Sequence, residues 1–359
     1  LGDVYKRQLL LRLYMKKILF LFLPVFLQAQ DVPIGSWKDY LSYNSASYIA
    51  EANNKIYCVA SGGLFFIEKE EETINRISKV TGLSDVEVNQ VAYDENLDIT
   101  IIVYDNCNID LLKHGQVINI SDIKRKEITG LKFITNITVK NGIAHLSSSM
   151  GLILVDLEKA EIKDLYKVGG SGESVTINGC AFLEDSIIVA TNNGLYSANI
   201  NSSNLSDFNN WTPCHTLYSF YANILTLADT LFIDTSSQII TVSANNNLIQ
   251  TFSDSIIINN KEHIVHPKFI NITYAWIDKQ NSLWVADSAN GLLKFSNYLY
   301  QEAYNPEGPI RNDIYSLEFA ENKLYQCHGG HANFGVNSLI NDGVSIKAVS
   351  YTHLRAHET

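Results

Sequence analysis

Apolar residues along this chain fall in short runs, each bounded by small clusters of Asn, Asp and Gly. Runs of that length with alternating or continuous apolar character predict β-strands, and the polar clusters predict the turns between them. The pattern recurs. A turn of Asn or Asp, a strand, a Gly or polar turn and a second strand appear seven times. The copies are NNKIYCVASGGLFFIE from Asn53, DITIIVYDNCNIDLL from Asp98, NGIAHLSSSMGLILVDL from Asn141 and DSIIVATNNGLYSANI from Asp185. They continue with DTLFIDTSSQIITVSA from Asp229, NSLWVADSANGLLKFSN from Asn281 and NKLYQCHGGHANFGVN from Asn322. Successive starts are separated by 45, 43, 44, 44, 52 and 41 residues.

Another β-rich segment precedes each copy from the second onward: Val88, Phe133, Val175, Phe220, Phe269 and Ile310 open these segments. A unit therefore reads strand, tight Asn/Asp turn, strand, Gly turn, strand, with a variable fourth strand. Several strands per period of about 40–45 residues is the spacing of a β-propeller. Leucine-rich repeats are shorter, and the 3.6-residue period of helical repeats is absent. The fold class expected is all-β, a propeller of about seven four-stranded repeats that form one ring or are split between two. The long interval before Asn281 predicts an extended loop around Asn245–Pro267. Gly63, Gly151, Gly194 and Gly291 recur at one place in the unit, where Gly supplies positive φ at an inter-strand turn. Trp37, Trp276 and Trp284 are expected in packing positions, whereas Trp211 lies in a polar loop and is the most open to another role.

The two ends depart from the pattern. Leu1–Gln8 and Val349–Thr359 resemble translated sequencing-library adapters, so neither is expected to belong to the fold. Met15-Lys16-Lys17 followed by the apolar run Ile18–Leu27, with Ala29 before Gln30, reads as a secretory signal peptide over residues 15–29. The run is too short to span a bilayer, Pro24 interrupts it, and no Cys follows the cleavage point to mark a lipoprotein. The expected organisation is adapter at 1–8, leader at 15–29, propeller repeats over 30–348 and adapter at 349–359, the whole being a fragment.

Composition sharpens this picture. The 359 residues carry 27 Lys+Arg against 38 Asp+Glu, a formal charge of −11. Setting aside the ends removes six basic and two acidic residues, so Gln30–Ala348 keeps 21 and 36, a formal charge of −15. Such a chain favours solubility and disfavours nucleic acid or any other polyanion unless a local basic pocket provides the contact. No later segment is long and apolar enough for a transmembrane helix. Cys58, Cys107, Cys180, Cys214 and Cys327 are odd in number and widely spaced, which fits small apolar strand residues better than a disulfide framework.

Chemistry is sparse. Cys327-His328-Gly329-Gly330-His331 has the ligand types for zinc, but it lacks a second cluster and its glycines fall where other copies turn. His263 and His266 have no carboxylate at metal-site spacing. Glu68–Glu72 is a charge run expected in a solvated turn. There is no G-x-S-x-G, H-E-x-x-H or phosphate-binding loop. Carboxylates gathered from distant blades could still serve glycoside hydrolysis, although nothing in the sequence points to them. No catalytic, cofactor-binding or metal residues are assigned, and no cofactor. Asp185-Ser186-Ile187, Asp229-Thr230-Leu231, Asp254-Ser255-Ile256 and Asp287-Ser288-Ala289 resemble the O-glycosylation motif of exported Bacteroidota proteins, and ordinary turn chemistry also produces them.

Gly35-Ser36-Trp37-Lys38-Asp39-Tyr40-Leu41-Ser42-Tyr43 resembles the mature start of the PorZ family of the type IX secretion system of Bacteroidota. So does the run Thr81-Gly82-Leu83-Ser84-Asp85, Val91-Ala92-Tyr93-Asp94, Ile102-Val103-Tyr104-Asp105 and Asn108-Ile109-Asp110-Leu111-Leu112. Asn305-Pro306-Glu307-Gly308-Pro309 fits as well, and the resemblance covers Asp31 to Ala348. It implies an exported, outer-membrane-associated scaffold or binding subunit at the periplasmic or outer surface. Its partners would be a sortase and other attachment-complex subunits, and its role would support sorting-signal removal and attachment of cargo to anionic lipopolysaccharide. It also implies two seven-bladed propellers and a terminal β-domain. The N-x-L-W-V…G-L pattern at Asn281–Phe295 is shared with periplasmic sensor propellers of hybrid two-component regulators that recognise oligosaccharides, which is the alternative reading.

Overall fold

The computed structural model describes residues 39–169, 175–215, 220–235, 239–242, 245–328 and 343–348. The expected leader, both adapter-like ends, Trp37 and Gly329-Gly330-His331 lie outside the described residues. Strands dominate, and each sheet is built from consecutive strands in sequence order.

The first sheet is β1 (Ala46–Ala52), β2 (Lys55–Ala60), β3 (Gly63–Glu68) and β4 (Thr73–Ile77). The second is β5 (Val88–Asp94), β6 (Ile99–Tyr104), β7 (Ile109–Lys113) and β8 (Gln116–Ile120), followed by the single-turn helix α1 (Asp122–Arg125). The third is β9 (Ile134–Lys140), β10 (Ile143–Ser148), β11 (Gly151–Asp156) and β12 (Glu161–Tyr166). The fourth is β13 (Ile177–Leu183), β14 (Ser186–Thr191), β15 (Gly194–Asn199) and β16 (Thr212–His215). β17 (Asn223–Leu227) and β18 (Thr230–Asp234) form a two-stranded fifth sheet. The sixth is β19 (Ile239–Val242), β20 (Leu248–Thr251), β21 (Ser255–Ile258) and β22 (Glu262–Val265). The seventh is β23 (Ile272–Ile277), β24 (Ser282–Asp287), β25 (Gly291–Ser296) and β26 (Leu299–Tyr304). β27 (Ile314–Ala320), β28 (Lys323–His328) and β29 (Val344–Ala348) form an eighth sheet.

Seven of these sheets close into a ring. The first strands β1, β5, β9, β13, β17, β19 and β23 each touch the next, and β23 returns to β1. The expected loop around Asn245–Pro267 is instead most of the sixth sheet, which completes the ring. The seventh sequence copy, from Asn322, falls in the eighth sheet and outside the closure. The open choice between one ring and a division is thus resolved: seven sheets close before the last copy is used.

The cores lie between sheets. Ile99, Ile101, Val103, Ile109 and Leu111 of the second sheet pack on Ile137, Leu146, Ile153 and Val155 of the third. Similar clusters join first to second, third to fourth, fourth to fifth and sixth to seventh sheets, and Trp284 with Phe65 and Ile56 joins seventh to first. A strand sandwiched in this way is buried on both faces, which is why β6 reads ITIIVY without alternation, while the outer β8 exposes Gln116, Ile118 and Asn119. Each fully buried Ile or Leu contributes about 1.5–3 kcal/mol.

Turns follow the sequence chemistry. Asn53, Asp98, Asn141, Asp229, Asn281 and Asn322 all have positive φ, as tight hairpins require. Gly151, Gly194 and Gly291 do so as well. Gly63 differs: the positive φ belongs to Gly62, and a Cβ on Gly63 would sit 2.7 Å from the Tyr43 ring. Space, not φ, selects glycine there.

Candidate functional site

A bulge interrupts pairing near the start of β1, β5, β9, β13 and β23, leaving Ser47, Asn89, Thr135, Asn178 and Thr273 outside the regular register. A bulge turns a side chain away from its ladder position. Three of these residues use that freedom to bind the next sheet. Thr135 Oγ1 reaches Ile177 O at 2.6 Å, Asn178 Nδ2 donates to Tyr221 O at 2.7 Å, and Thr273 Oγ1 reaches Ala46 O at 2.8 Å. The last of these bonds crosses the closing seam of the ring.

The first strands enclose an axial cavity of about 1210 Å³, lined by residues of all seven ring sheets. One tier of its wall is Tyr48, Gln90, Asn136, Asn223 and Tyr274. Asn136 Nδ2 donates to Asn223 Oδ1 at 3.1 Å, passing over the fourth sheet. Gly179 allows that passage, since a Cβ there would lie 2.5 Å from Asn223 Oδ1. The rings of Tyr48 and Tyr274 meet at 4.4 Å between centroids, and burial raises both hydroxyls above the usual tyrosine range. Gln90 Nε2 donates to Thr135 O at 2.7 Å.

One end of the cavity carries an ion cluster at the seam. Glu51 Oε1 accepts from Lys69 Nζ at 2.6 Å and from the Lys279 N–H at 3.2 Å, and Glu51 Oε2 accepts from Trp276 Nε1 at 3.1 Å. Lys69 Nζ also donates to Gln280 Oε1 at 2.6 Å. The side chains of Lys69 and Glu51 are only 7% and 4% exposed. The charge run Glu68–Glu72 is a turn with Glu70, Glu71 and Glu72 exposed, but its Lys69 supplies a buried cation to the closure, and Glu72 pairs with Lys294. Trp276 packs against the cluster between the seventh and first sheets, as expected, and also lines the cavity; Trp284 and Trp211 are buried. Trp211 Nε1 donates to Leu205 O at 2.9 Å, so its polar-loop position hides a core residue.

The other singled-out residues do not converge. His328 bonds Ser345 Oγ at 2.7 Å through Nε2, beside a half-buried Cys327. His266 stacks on Tyr300 and accepts the Lys268 N–H through Nδ1, while His263 is exposed on β22. Among the described residues, no three His, Cys, Asp or Glu side chains are placed to hold a metal ion. Cys58, Cys107 and Cys180 are buried, Cys214 is exposed, and all five cysteines are unpaired. Of the Asp-Ser/Thr motifs, Asp287 is fully buried and accepts four backbone N–H groups, Ser255 is buried, and Thr230 is exposed.

The Gly82–Leu112 run forms a buried polar network between the first and second sheets. Asp110 accepts the Ser84 N–H at 2.8 Å, Asn119 Nδ2 at 2.8 Å and the Tyr104 hydroxyl. Asp85 accepts from Lys124 Nζ, Asn106 Nδ2, Asn108 Nδ2 and the Val86 N–H. Burial raises the Asp85 pKa, but the Lys124 and Asn106 hydrogen bonds, the Val86 N–H and the Lys124 charge outweigh it and hold the pKa at about 2. Because that value lies below the unfolded one, the group stabilises the fold fully above pH 3.8, and the contribution is lost as pH falls toward 2. Its size is on the order of 2 kcal/mol. Acid titration of unfolding free energy should therefore be steeper over this window in the wild type than in Lys124→Met; identical slopes would remove the Lys124 pair from the account.

The fold and its lined axis define a β-propeller of seven sheets, with polar chemistry concentrated on the channel and seam. Residues 56–212 match the model of the N-terminal β-propeller domain of PorZ of the type IX secretion system. Comparison with curated proteins gave no match. The solved structure of PorZ, a surface component of the type IX secretion system of Porphyromonas gingivalis, superposes with a TM-score of 0.71 at 20% identity over 88% of this chain. The chain spans 45% of the length of that relative. A chain of the mitotic checkpoint complex superposes at TM-score 0.51 with 11% identity, covering 74% of this chain and 96% of its own. At these identities the likeness is one of fold. The extracellular domain of a one-component system from B. thetaiotaomicron reaches only 0.42 at 11% identity, covering 86% of this chain and 49% of its own, and carries no argument.

Proposed function

We propose that the protein is an exported, non-enzymatic binding subunit of the type IX secretion machinery. It supports removal of sorting signals and attachment of cargo to anionic lipopolysaccharide at the outer membrane, with a sortase and other attachment-complex subunits as partners. The observation that carries this reading is the family match over residues 56–212, which contains the whole Gly82–Leu112 run. That run builds the Asp85–Asp110 network, so the residues that distinguish the family also set the packing of the first two sheets. The eighth sheet supports the two-ring organisation that the resemblance implies. It lies outside a ring already closed, and it leaves Tyr315, Leu317, Phe319, Val344 and Ile346 between 47% and 62% exposed. A single blade with apolar residues on open faces is what the start of another stack presents.

The test is affinity capture of the tagged protein from solubilised outer membranes. Recovery of the sortase and its attachment-complex subunits is expected. Capture that returns none of them would overturn the proposal.

A further inference from the structure

The wall of the axial cavity has a consistent chemistry. Amide and hydroxyl side chains from successive sheets face it: Asn89, Gln90, Asn136, Asn178, Thr226 and Thr273. Aromatic rings stand among them at Tyr48, Tyr274 and Trp276.

Charge narrows the ligand class. Among the described lining residues the one cation is Lys279, and its Nζ is paired with Glu95. The lining carboxylates are Glu51, Glu95 and Asp105; Glu51 is neutralised by Lys69, and Asp105 accepts from Asn89 Nδ2 at 2.6 Å. An anion entering the channel would find no unpaired cation and would meet carboxylates of its own sign. A cation would find its carboxylates already engaged. A neutral molecule with many hydroxyls fits both conditions: its O–H groups match the amide and hydroxyl wall, and its C–H faces match the aromatic rings.

We propose that the axial cavity is a binding site for an uncharged oligosaccharide segment, with the amide and hydroxyl side chains of the wall as hydrogen-bond partners and Tyr48, Tyr274 and Trp276 as packing surfaces. The site is chemically distinct from any contact with an anionic glycan, which this wall disfavours. The inference rests on the cavity alone and not on membership of a secretion complex, so partner capture and sugar binding fail independently.

The experiment is calorimetric titration of the full chain with maltohexaose, cellohexaose and mannohexaose, and with hexagalacturonate as the anionic counterpart. Saturable one-site binding of at least one neutral hexasaccharide is expected, with hexagalacturonate binding at least tenfold more weakly. Tyr274→Leu, checked for folding by near-ultraviolet circular dichroism, should lower affinity roughly five- to tenfold. Absence of binding by all three neutral sugars would overturn the proposal. So would equal or tighter binding of hexagalacturonate, or wild-type affinity in Tyr274→Leu.

Discussion

Glu51→Leu is expected to destabilise the ring by about 3–5 kcal/mol, measured as a fall in the urea unfolding midpoint. The substitution removes the acceptor for Lys69 Nζ, Trp276 Nε1 and the Lys279 N–H at once. Lys69 then keeps only the Gln280 amide oxygen while its side chain remains 7% exposed. Removing one partner of a buried pair costs far more than the pair contributes, because the remaining charge stays out of water. The double variant Glu51→Leu/Lys69→Met removes both charges and should recover most of the loss. If Glu51→Leu costs under about 1 kcal/mol, the range of an exposed pair, the seam is not held by this cluster.

Asp110→Ala should have a comparable effect at another place. Asp110 is fully buried and accepts from a backbone N–H, a tyrosine hydroxyl and an amide. Alanine would leave the Ser84 N–H and the Tyr104 hydroxyl unpaired between the first and second sheets, while Asn119 Nδ2 keeps Asn108 Oδ1 and Ile109 O, at a cost on the order of 2–5 kcal/mol. Asp110→Asn keeps an acceptor of similar shape and should cost less. The measurement again is equilibrium unfolding, with partner capture as a second readout. Loss of partners in a variant of unchanged stability would show instead that the Asp110 network is a contact surface.

Much of this architecture is visible in the chain because a propeller repeats its local chemistry. Positive-φ Asn or Asp marks the first hairpin of every described sheet but the fourth, where Glu184 takes that place, and continuous apolar strands mark the layers buried on both faces. The sixth sheet escaped because its strands are four residues long and its turns, at Asn245–Asn247, Ser253–Asp254 and Asn259–Asn260, are rich in loop-forming residues. Short strands separated by Asn pairs have the composition of a loop, and only the neighbouring sheets supply the surface that makes them strands. The seam escaped for another reason. Lys69 sits in an acidic run, and nothing local says that its partners are Glu51, 18 residues away, and Gln280, 211 residues away. The cavity wall is legible only in part: first strands can be recognised, but the bulges at Ser47, Asn89 and Thr135 change which side chains face the axis.

Sheet order has a kinetic consequence. Among the described residues every sheet is made from one contiguous stretch, with no strand borrowed from the far end of the chain to lock the ring. Sheets one to six can form in sequence as the chain emerges, each pairing with neighbours already made. The closing contacts cannot: Thr273 with Ala46 and Trp276 with Glu51 join positions 227 and 225 residues apart. Contacts of such sequence separation carry the largest loop-closure penalty and form late. Until Ile277 is available the first and sixth sheets both present an open apolar flank, so an unfinished chain is an arc with two adhesive ends, and passage through a membrane before closure would keep those ends apart.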